Sequence, residues 1–151
     1  MSFLLDSNVC IRLLRSGDGA GGAGRASPIA VEVRRRIETH DAGGRECFVC
    51  AVVRYELLAG ALRSARPDEN HARAMRLLGA FRSLPFDDSA ADHAAEVGRL
   101  LRIAGNPIGP NDLLMAGIAL ANGVTLVTPN VAEFGRVSGL AIEDWESAAQ
   151  G

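Results

Sequence analysis

The sequence predicts an α/β fold, a mostly parallel central sheet with helices on both faces. Three observations lead there. Short apolar segments alternate with longer stretches of helical periodicity, the order that parallel βαβ units require. The strand-like segments Phe3-Leu4-Leu5, Cys47-Phe48-Val49-Cys50 and Val124-Thr125-Leu126-Val127 are apolar almost throughout, as in strands covered on both faces. Hydrophobic content is 48% but aromatic content only 5%, so the core is expected to be aliphatic packing of helices on a sheet. At 151 residues, with no internal repeat or linker, the chain is expected to form one domain over residues 1–151.

The first strand, Phe3 to Leu5, ends at Asp6-Ser7-Asn8, and Val9 to Arg15 has helical character with Val9, Ile11, Leu13 and Leu14 inward. Ser7 or Asn8 is expected to cap that helix. Asp6 falls at the C-terminal end of a strand, the edge where open α/β sheets bind ligands. From Ser16 to Ala26 the chain is glycine-rich, and Gly19 to Gly24 satisfies G-x-G-x-x-G. These glycines follow a helical stretch rather than a strand, so the dinucleotide motif is not met. A flexible loop, a flap beside the site, is expected instead.

Pro28 to Thr39 resumes a helix with proline in its first turn. Its Arg34-Arg35-Arg36 fans around the axis, either a solvated face or a contact for RNA phosphates or a partner. After Asp41-Ala42-Gly43-Gly44 comes the strand Cys47 to Cys50, then a helix from Ala51 to Ser64. Val52, Val53, Glu56, Ala59 and Gly60 share one face of that helix by the three-and-four rule, which points Glu56 inward. An inward glutamate is costly without a partner, and the bland alternative is a buried ion pair with an arginine. Pro67 to Arg82 reads as a further helix, apolar at Ala72, Met75, Leu78 and Gly79, forming a hairpin with its predecessor and a candidate partner or dimer surface. Leu84-Pro85-Phe86 reads as a short edge strand. Ser89 is expected to cap a helix through Ile103, with Ala90, His93, Ala94, Val97 and Leu101 facing in.

The most informative stretch runs from Ile108 to Asn130. Pro110 and Asn111 mark a helix start, with Asn111 as the expected cap. Leu113 to Ala121 carry almost no polar side chain, so this helix is expected to be packed on most sides, and Asn122-Gly123 is a left-handed stop. Val124 to Val127 then forms a buried strand. Asp112 is the only ionisable residue between Arg102 and Glu133. Thr128-Pro129-Asn130 ends the strand, and Asn130-Val131-Ala132-Glu133 matches a capping box. Leu140 to Trp145 offers a last short strand.

Charge and cysteine usage narrow the function. A net charge of −2 excludes a non-specific nucleic-acid sponge. All 16 basic residues are arginines, whose forked guanidinium suits phosphate and carboxylate partners. No apolar run approaches the ~20 residues of a membrane span, and the N-terminus lacks a charged-then-apolar leader, so a cytoplasmic protein without a membrane partner is expected. Cys10, Cys47 and Cys50 are an odd count in such a chain and are expected to be reduced. Cys47 and Cys50 lie three apart on a strand and point to opposite faces, so neither zinc nor redox chemistry follows. His40, His71 and His93 have no metal-ligand spacing.

What remains is acidic. Asp6 ends the first strand, Asp112 opens a helix that feeds another strand, and Glu56 points toward the same interior. Two carboxylates about 4 Å apart at an effective dielectric near 20 repel by ~4 kcal/mol. Protonation or a divalent cation must relieve that, and oxygen-only ligands suit Mg²⁺ or Mn²⁺ rather than zinc. A cation so held activates water for phosphodiester hydrolysis.

Four motifs occur in order along nearly the whole chain: Leu4-Leu5-Asp6-Ser7-Asn8; Tyr55-Glu56-Leu57-x-x-Gly60; Ile108-Gly109-x-Asn111-Asp112-Leu113-Leu114-x-Ala116; and Leu126-Val127-Thr128-x-Asn130-x-x-Glu133-Phe134-x-Arg136-Val137-x-Gly139-Leu140-x-x-Glu143-x-Trp145. Together they resemble the PIN-domain family and, more narrowly, the VapC toxins of bacterial toxin–antitoxin pairs. The resemblance implies a PIN-like, Rossmann-like three-layer fold with a helical-hairpin extension. It implies a Mg²⁺- or Mn²⁺-dependent ribonuclease acting on RNA, a homodimer, and a VapB-type antitoxin whose tail enters the acidic groove. Asp6, Glu56 and Asp112 fall on its three acidic metal-site positions. At the fourth position many family members carry an aspartate, where this chain has Asn130, with Glu133 a turn further on; either would complete the site. Thr128 and Asn8 are expected to orient the carboxylates by hydrogen bonds. Two rivals stand beside this reading. A haloacid-dehalogenase-type phosphatase would use Asp6 as nucleophile, but it wants a second acid where Asn8 stands and a later lysine, which the chain lacks. A catalytically silent PIN-like module would capture RNA or a partner without cutting.

Overall fold

A computed structural model describes residues 1–16 and 27–147. Among the described residues five parallel strands form one sheet in the order β3-β2-β1-β4-β5. They are β1 (Phe3–Leu5), β2 (Cys47–Cys50), β3 (Arg82–Leu84), β4 (Thr125–Val127) and β5 (Ile142–Glu143). The helices that connect and flank them are α1 (Ser7–Arg15), α2 (Pro28–Ala42), α3 (Ala51–Leu62), α4 (Pro67–Gly79), α5 (Asp88–Ile103), α6 (Pro110–Asn122) and the short α7 (Val131–Phe134). The expected α/β class with a mostly parallel sheet is therefore the observed one. The hairpin of α3 and α4 is also present, the two helices packing side by side. The glycine-rich motif at Gly19 to Gly24 lies outside the described residues.

The strands follow from their composition. Every residue of the three inner strands is buried, consistent with helices on both sides. The edge strand β3 buries only Leu84 and leaves Arg82 and Ser83 exposed, a polar edge that resists pairing with another chain. Sequence expectation ran helix through Arg82 and put the strand at Leu84–Phe86. Instead α4 ends at Gly79, because Arg82 to Leu84 pair in register with Phe48 to Cys50. Strand pairing overrides local helix propensity there.

Helix starts shift by one or two residues from expectation. The cap of α5 is Asp87, whose side chain accepts from Ala90 N at 2.9 Å, rather than Ser89. The cap residue of α6 is Gly109 rather than Asn111, and that of α1 is Asp6 rather than Ser7 or Asn8, neither with a side-chain cap bond. Asp6 is instead engaged elsewhere. The left-handed stop of α6 is as expected, with Gly123 at φ 60°.

Inward faces also rotate. Helix α3 buries Val52, Val53, Leu57 and Ala61, leaving Glu56 half-buried at the margin and Gly60 exposed. Helix α4 buries Ala74 and Leu78 rather than Ala72, Met75 and Gly79. His93 of α5 faces solvent, where Nδ1 lies 2.8 Å from Ser89 O. No described helix is long and apolar enough to cross a membrane.

Helix α6 is buried from Met115 to Ala119 and packs closely on α5. Gly117 makes the closeness possible: a Cβ there would stand 2.5 Å from Ala90 O and 2.8 Å from Ala94 Cβ. Gly117→Ala is therefore expected to destabilise the protein by about 2 kcal/mol despite alanine's better helix propensity. Chemical denaturation of the variant measures this.

The three cysteines are buried and unpaired. Burial pushes Cys47 up to about 12 and Cys50 up to about 11, so these thiols stay protonated. Arg35 and Arg36 pair with Glu32, and Arg34 donates to the Leu13 carbonyl, so the triple-arginine run is mostly occupied within its own neighbourhood.

Candidate active site

In strand order the chain reverses direction of growth at β1, with β2 on one side and β4 on the other. In open parallel sheets, the crevice beyond the strand ends at such a switch point is where ligands bind. Asp6 leaves β1 there and Thr128 leaves β4 beside it. Asp6 N donates to Val127 O at 3.0 Å, so both strands hold the aspartate backbone in place.

A continuous run of polar contacts starts at that aspartate. Asp6 is 2% exposed, yet both its oxygens are served. Thr128 Oγ1 donates to Asp6 Oδ2 at 2.6 Å. Ser7 Oγ lies 3.1 Å from Asp6 Oδ1 and 3.2 Å from Glu56 Oε2, so one hydroxyl proton serves two carboxylates in turn. On the other side Asn130 N donates to Thr128 Oγ1 at 3.0 Å, polarising the hydroxyl that holds Asp6. Asn130 Nδ2 donates to Glu133 Oε2 at 2.9 Å, and Glu133 stands beside Asp112, whose carboxyl it helps to raise. The arc therefore reads Glu56, Ser7, Asp6, Thr128, Asn130, Glu133, Asp112. It joins residues from α3, the starts of α1 and α6, and the segment after β4.

The electrostatics follow from that crowding. Burial raises Glu56 above the ordinary carboxylate range, opposed by the Ser7 hydrogen bond and reinforced by the Asp6 charge. Asp112 is pushed up to about 6, first by burial, then by the hydrogen bond to Glu133 and by the charges of Asp6, Glu133 and Glu56. Among the described residues no arginine pairs with Asp6, Glu56 or Asp112, which removes the buried ion pair considered for Glu56.

The raised Asp112 carboxyl has a testable sign. It is protonated in both folded and unfolded states at low pH, so its contribution to stability is full there and is lost as pH rises from about 4 through about 6. In EDTA, Asp112→Asn should therefore gain stability relative to the natural chain across that interval. Thermal melts at successive pH values measure the difference, and a flat difference would leave Asp112 in an ordinary environment.

As the side chains stand, no three of the described His, Cys, Asp or Glu residues gather into a finished cage: Asp6 and Glu56 meet across Ser7 while Asp112 leans on Glu133. The chemistry nonetheless fits a hard ion. All donors are oxygens, Glu56 Oε1 is buried without a hydrogen-bond partner, and two of the carboxylates are raised, first by burial and then by their neighbours' negative charge.

Of the other residues expected here, Thr128 and Asn130 lie on the arc. The Asn130–Glu133 pair does not make a capping box: α7 has no side-chain cap bond, and the two side chains bond each other. Asn8 is exposed and makes no side-chain hydrogen bond among the described residues, so it does not orient Asp6. Its neighbour Ser7 does, and the only signal in the sequence was a hydroxyl directly after the aspartate.

The family model for the PIN domain matches residues 3–140. Over 145 residues the chain is 32% identical to the tRNA(fMet)-specific endonuclease VapC of Shigella flexneri, covering 96% of this chain and 98% of that protein. It superposes on the crystal structure of DNA-bound VapBC from Salmonella typhimurium with a TM-score of 0.81 at 30% identity, covering 96% of this chain and 98% of that one. Against VapBC2 from Rickettsia felis bound to a DNA fragment from their promoter, the TM-score is 0.82 at 26% identity, with 96% and 99% covered.

Proposed function

The chain belongs to the PIN-domain family, and from that membership we propose that it is the VapC-type toxin of a VapBC toxin–antitoxin pair. It is an endoribonuclease that hydrolyses RNA phosphodiester bonds with Mg²⁺ or Mn²⁺ and is held inactive by a VapB-type antitoxin. It works in the cytoplasm as a homodimer of single-domain chains spanning residues 1–151. Tyr55 and Leu62, exposed at 62% and 59% on α3, support a face for self-association.

The observation that carries the catalytic reading is the arc of seven residues running from Glu56 to Asp112 at the switch point of the sheet. Asp6, Glu56 and Asp112 would hold the cation, Glu56 through the oxygen that lacks a partner. When bound, a divalent cation supplies a water of lowered pKa and offsets charge on the phosphate. Thr128 and Ser7 fix both oxygens of Asp6, so the aspartate is oriented before substrate arrives. Asn130 fixes Glu133, whose carboxylate stands beside Asp112 and helps raise it. With Asp112 among the residues that would hold the cation, Glu133, oriented by Asn130, would be the base that accepts a proton from the attacking water.

The test is RNA cleavage by purified protein with Mg²⁺, with Mn²⁺ and with EDTA. Transfer RNA is the first substrate to try, given the specificity named for the Shigella relative. Cleavage that needs the divalent ion and stops on adding cognate antitoxin is expected. RNA binding without shortening would favour the silent module, and phosphate release from monoesters without RNA cleavage would favour the phosphatase.

A further inference from the structure

A cavity of about 350 Å³ opens between α1, α3 and α4, with Glu56 of the candidate active site in its wall. That is within the ~300–1,000 Å³ typical of small-ligand sites. The floor is aliphatic, made by Ile11, Leu14, Leu57, Ala61 and Ala74. The rim is polar and positive. Arg73 is held by a hydrogen bond from Nη2 to Leu14 O, which leaves its other donors available. Arg15 is exposed and makes no hydrogen bond or ion pair among the described residues. Asn70 donates Nδ2 to Ser64 Oγ at 2.8 Å, leaving Oδ1 without a partner there.

We propose that this cavity is a nucleotide subsite for the RNA next to the scissile phosphate. The proposal rests on the nuclease reading above and deepens it. Arg15 and Arg73 take the backbone phosphate that follows the one cleaved, and the aliphatic floor covers a face of the nucleobase. Asn70 Oδ1 accepts from an exocyclic amino group or a ribose hydroxyl.

Charge placement favours RNA over a peptide as occupant. Carboxylates concentrate along the arc, where a cation would offset them, whereas two guanidiniums without carboxylate partners among the described residues stand across the same opening. A polyanion that crosses from one to the other meets a favourable charge at each step. Arginine also gives the planar, two-pronged donor that a phosphate accepts.

The test measures binding of a labelled single-stranded RNA of mixed sequence by anisotropy in EDTA, where no cleavage is expected, across a range of salt. Arg15→Gln removes one phosphate contact. Gly60→Leu fills the cavity from α3, where an added Cβ meets no heavy atom within 4 Å and leucine favours the helix. Arg15→Gln should weaken binding about fivefold and reduce the slope of log affinity against log salt by about 0.7. Gly60→Leu should weaken binding about tenfold, the loss of one base contact, with an unchanged melting temperature. Unchanged affinity and slope in both variants, in a protein that still cleaves RNA with Mg²⁺, would overturn the subsite and leave the nuclease reading standing. If Gly60→Leu spares RNA affinity but blocks neutralisation by the antitoxin, the cavity serves a protein partner and the proposal fails. A natural chain that neither binds nor cleaves RNA would remove both.

Discussion

Asp6→Asn is expected to lower RNA cleavage by at least about a hundredfold, ~2.7 kcal/mol of transition-state stabilisation, with nearly unchanged thermal stability. The separation of the two effects follows from the geometry. The Asp6 side chain is buried between two hydroxyls that accept as readily as they donate, so an amide of the same shape keeps partners at both ends. What it loses is the negative charge at the switch point. Asp112→Asn is expected to behave alike in activity. Calorimetry beside a gel-based cleavage assay checks both. Cleavage retained by either variant would remove that residue from the site, whereas lost cleavage with a collapsed melt would make its role structural.

Trp145→Ala is expected to cost about 3–5 kcal/mol, and to impair activity as well. Trp145 is fully buried, 5.2 Å from the Phe3 ring and 5.4 Å from His40, and its Nε1 donates to Glu143 Oε2 at 2.7 Å. It therefore anchors β5 to the start of β1. Glu143 O in turn accepts from Thr128 N at 3.0 Å, and Thr128 is the residue whose hydroxyl orients Asp6. Loosening the last strand thus reaches the aspartate through two hydrogen bonds. A milder change, Trp145→Phe, keeps a ring in the stack and drops the indole donor, so it should recover most stability. Denaturant unfolding of both variants, with cleavage measured where each is folded, separates packing from positioning.

The sequence disclosed those parts of the molecule whose signals are local. Apolar runs with no alternation marked β1, β2 and the strand after Gly123 because these lie inside a parallel sheet. The Asn122-Gly123 stop was legible because a left-handed cap needs glycine there. Caps at Asn111, Ser89 and Asn8 were misassigned because several neighbouring residues can accept from the first turn, and tertiary contacts select among them. Glu56 was placed inward by periodicity, yet it sits at the margin of the buried stripe, where its carboxylate reaches Ser7 across 49 positions of sequence. Links of that kind carry no spacing rule. Asp6, Glu56, Asp112 and Glu133 were each visible as carboxylates in suspicious places, but the hydroxyls and the amide that join them are ordinary residues until the strands bring them together. Resemblance to PIN domains supplied what spacing could not, the expectation that these distant acids share one site.

The central claim is that Asp6, Glu56 and Asp112 together hold one divalent cation. Titration of the purified protein with Mn²⁺, followed by electron paramagnetic resonance of the free ion and by competition with Mg²⁺, measures it directly. One Mn²⁺ per chain, displaced by Mg²⁺ and weakened at least about tenfold in both Glu56→Gln and Asp112→Asn, is the expected result. Mn²⁺ binding that is absent, or equal in the natural chain and in both variants, would contradict it.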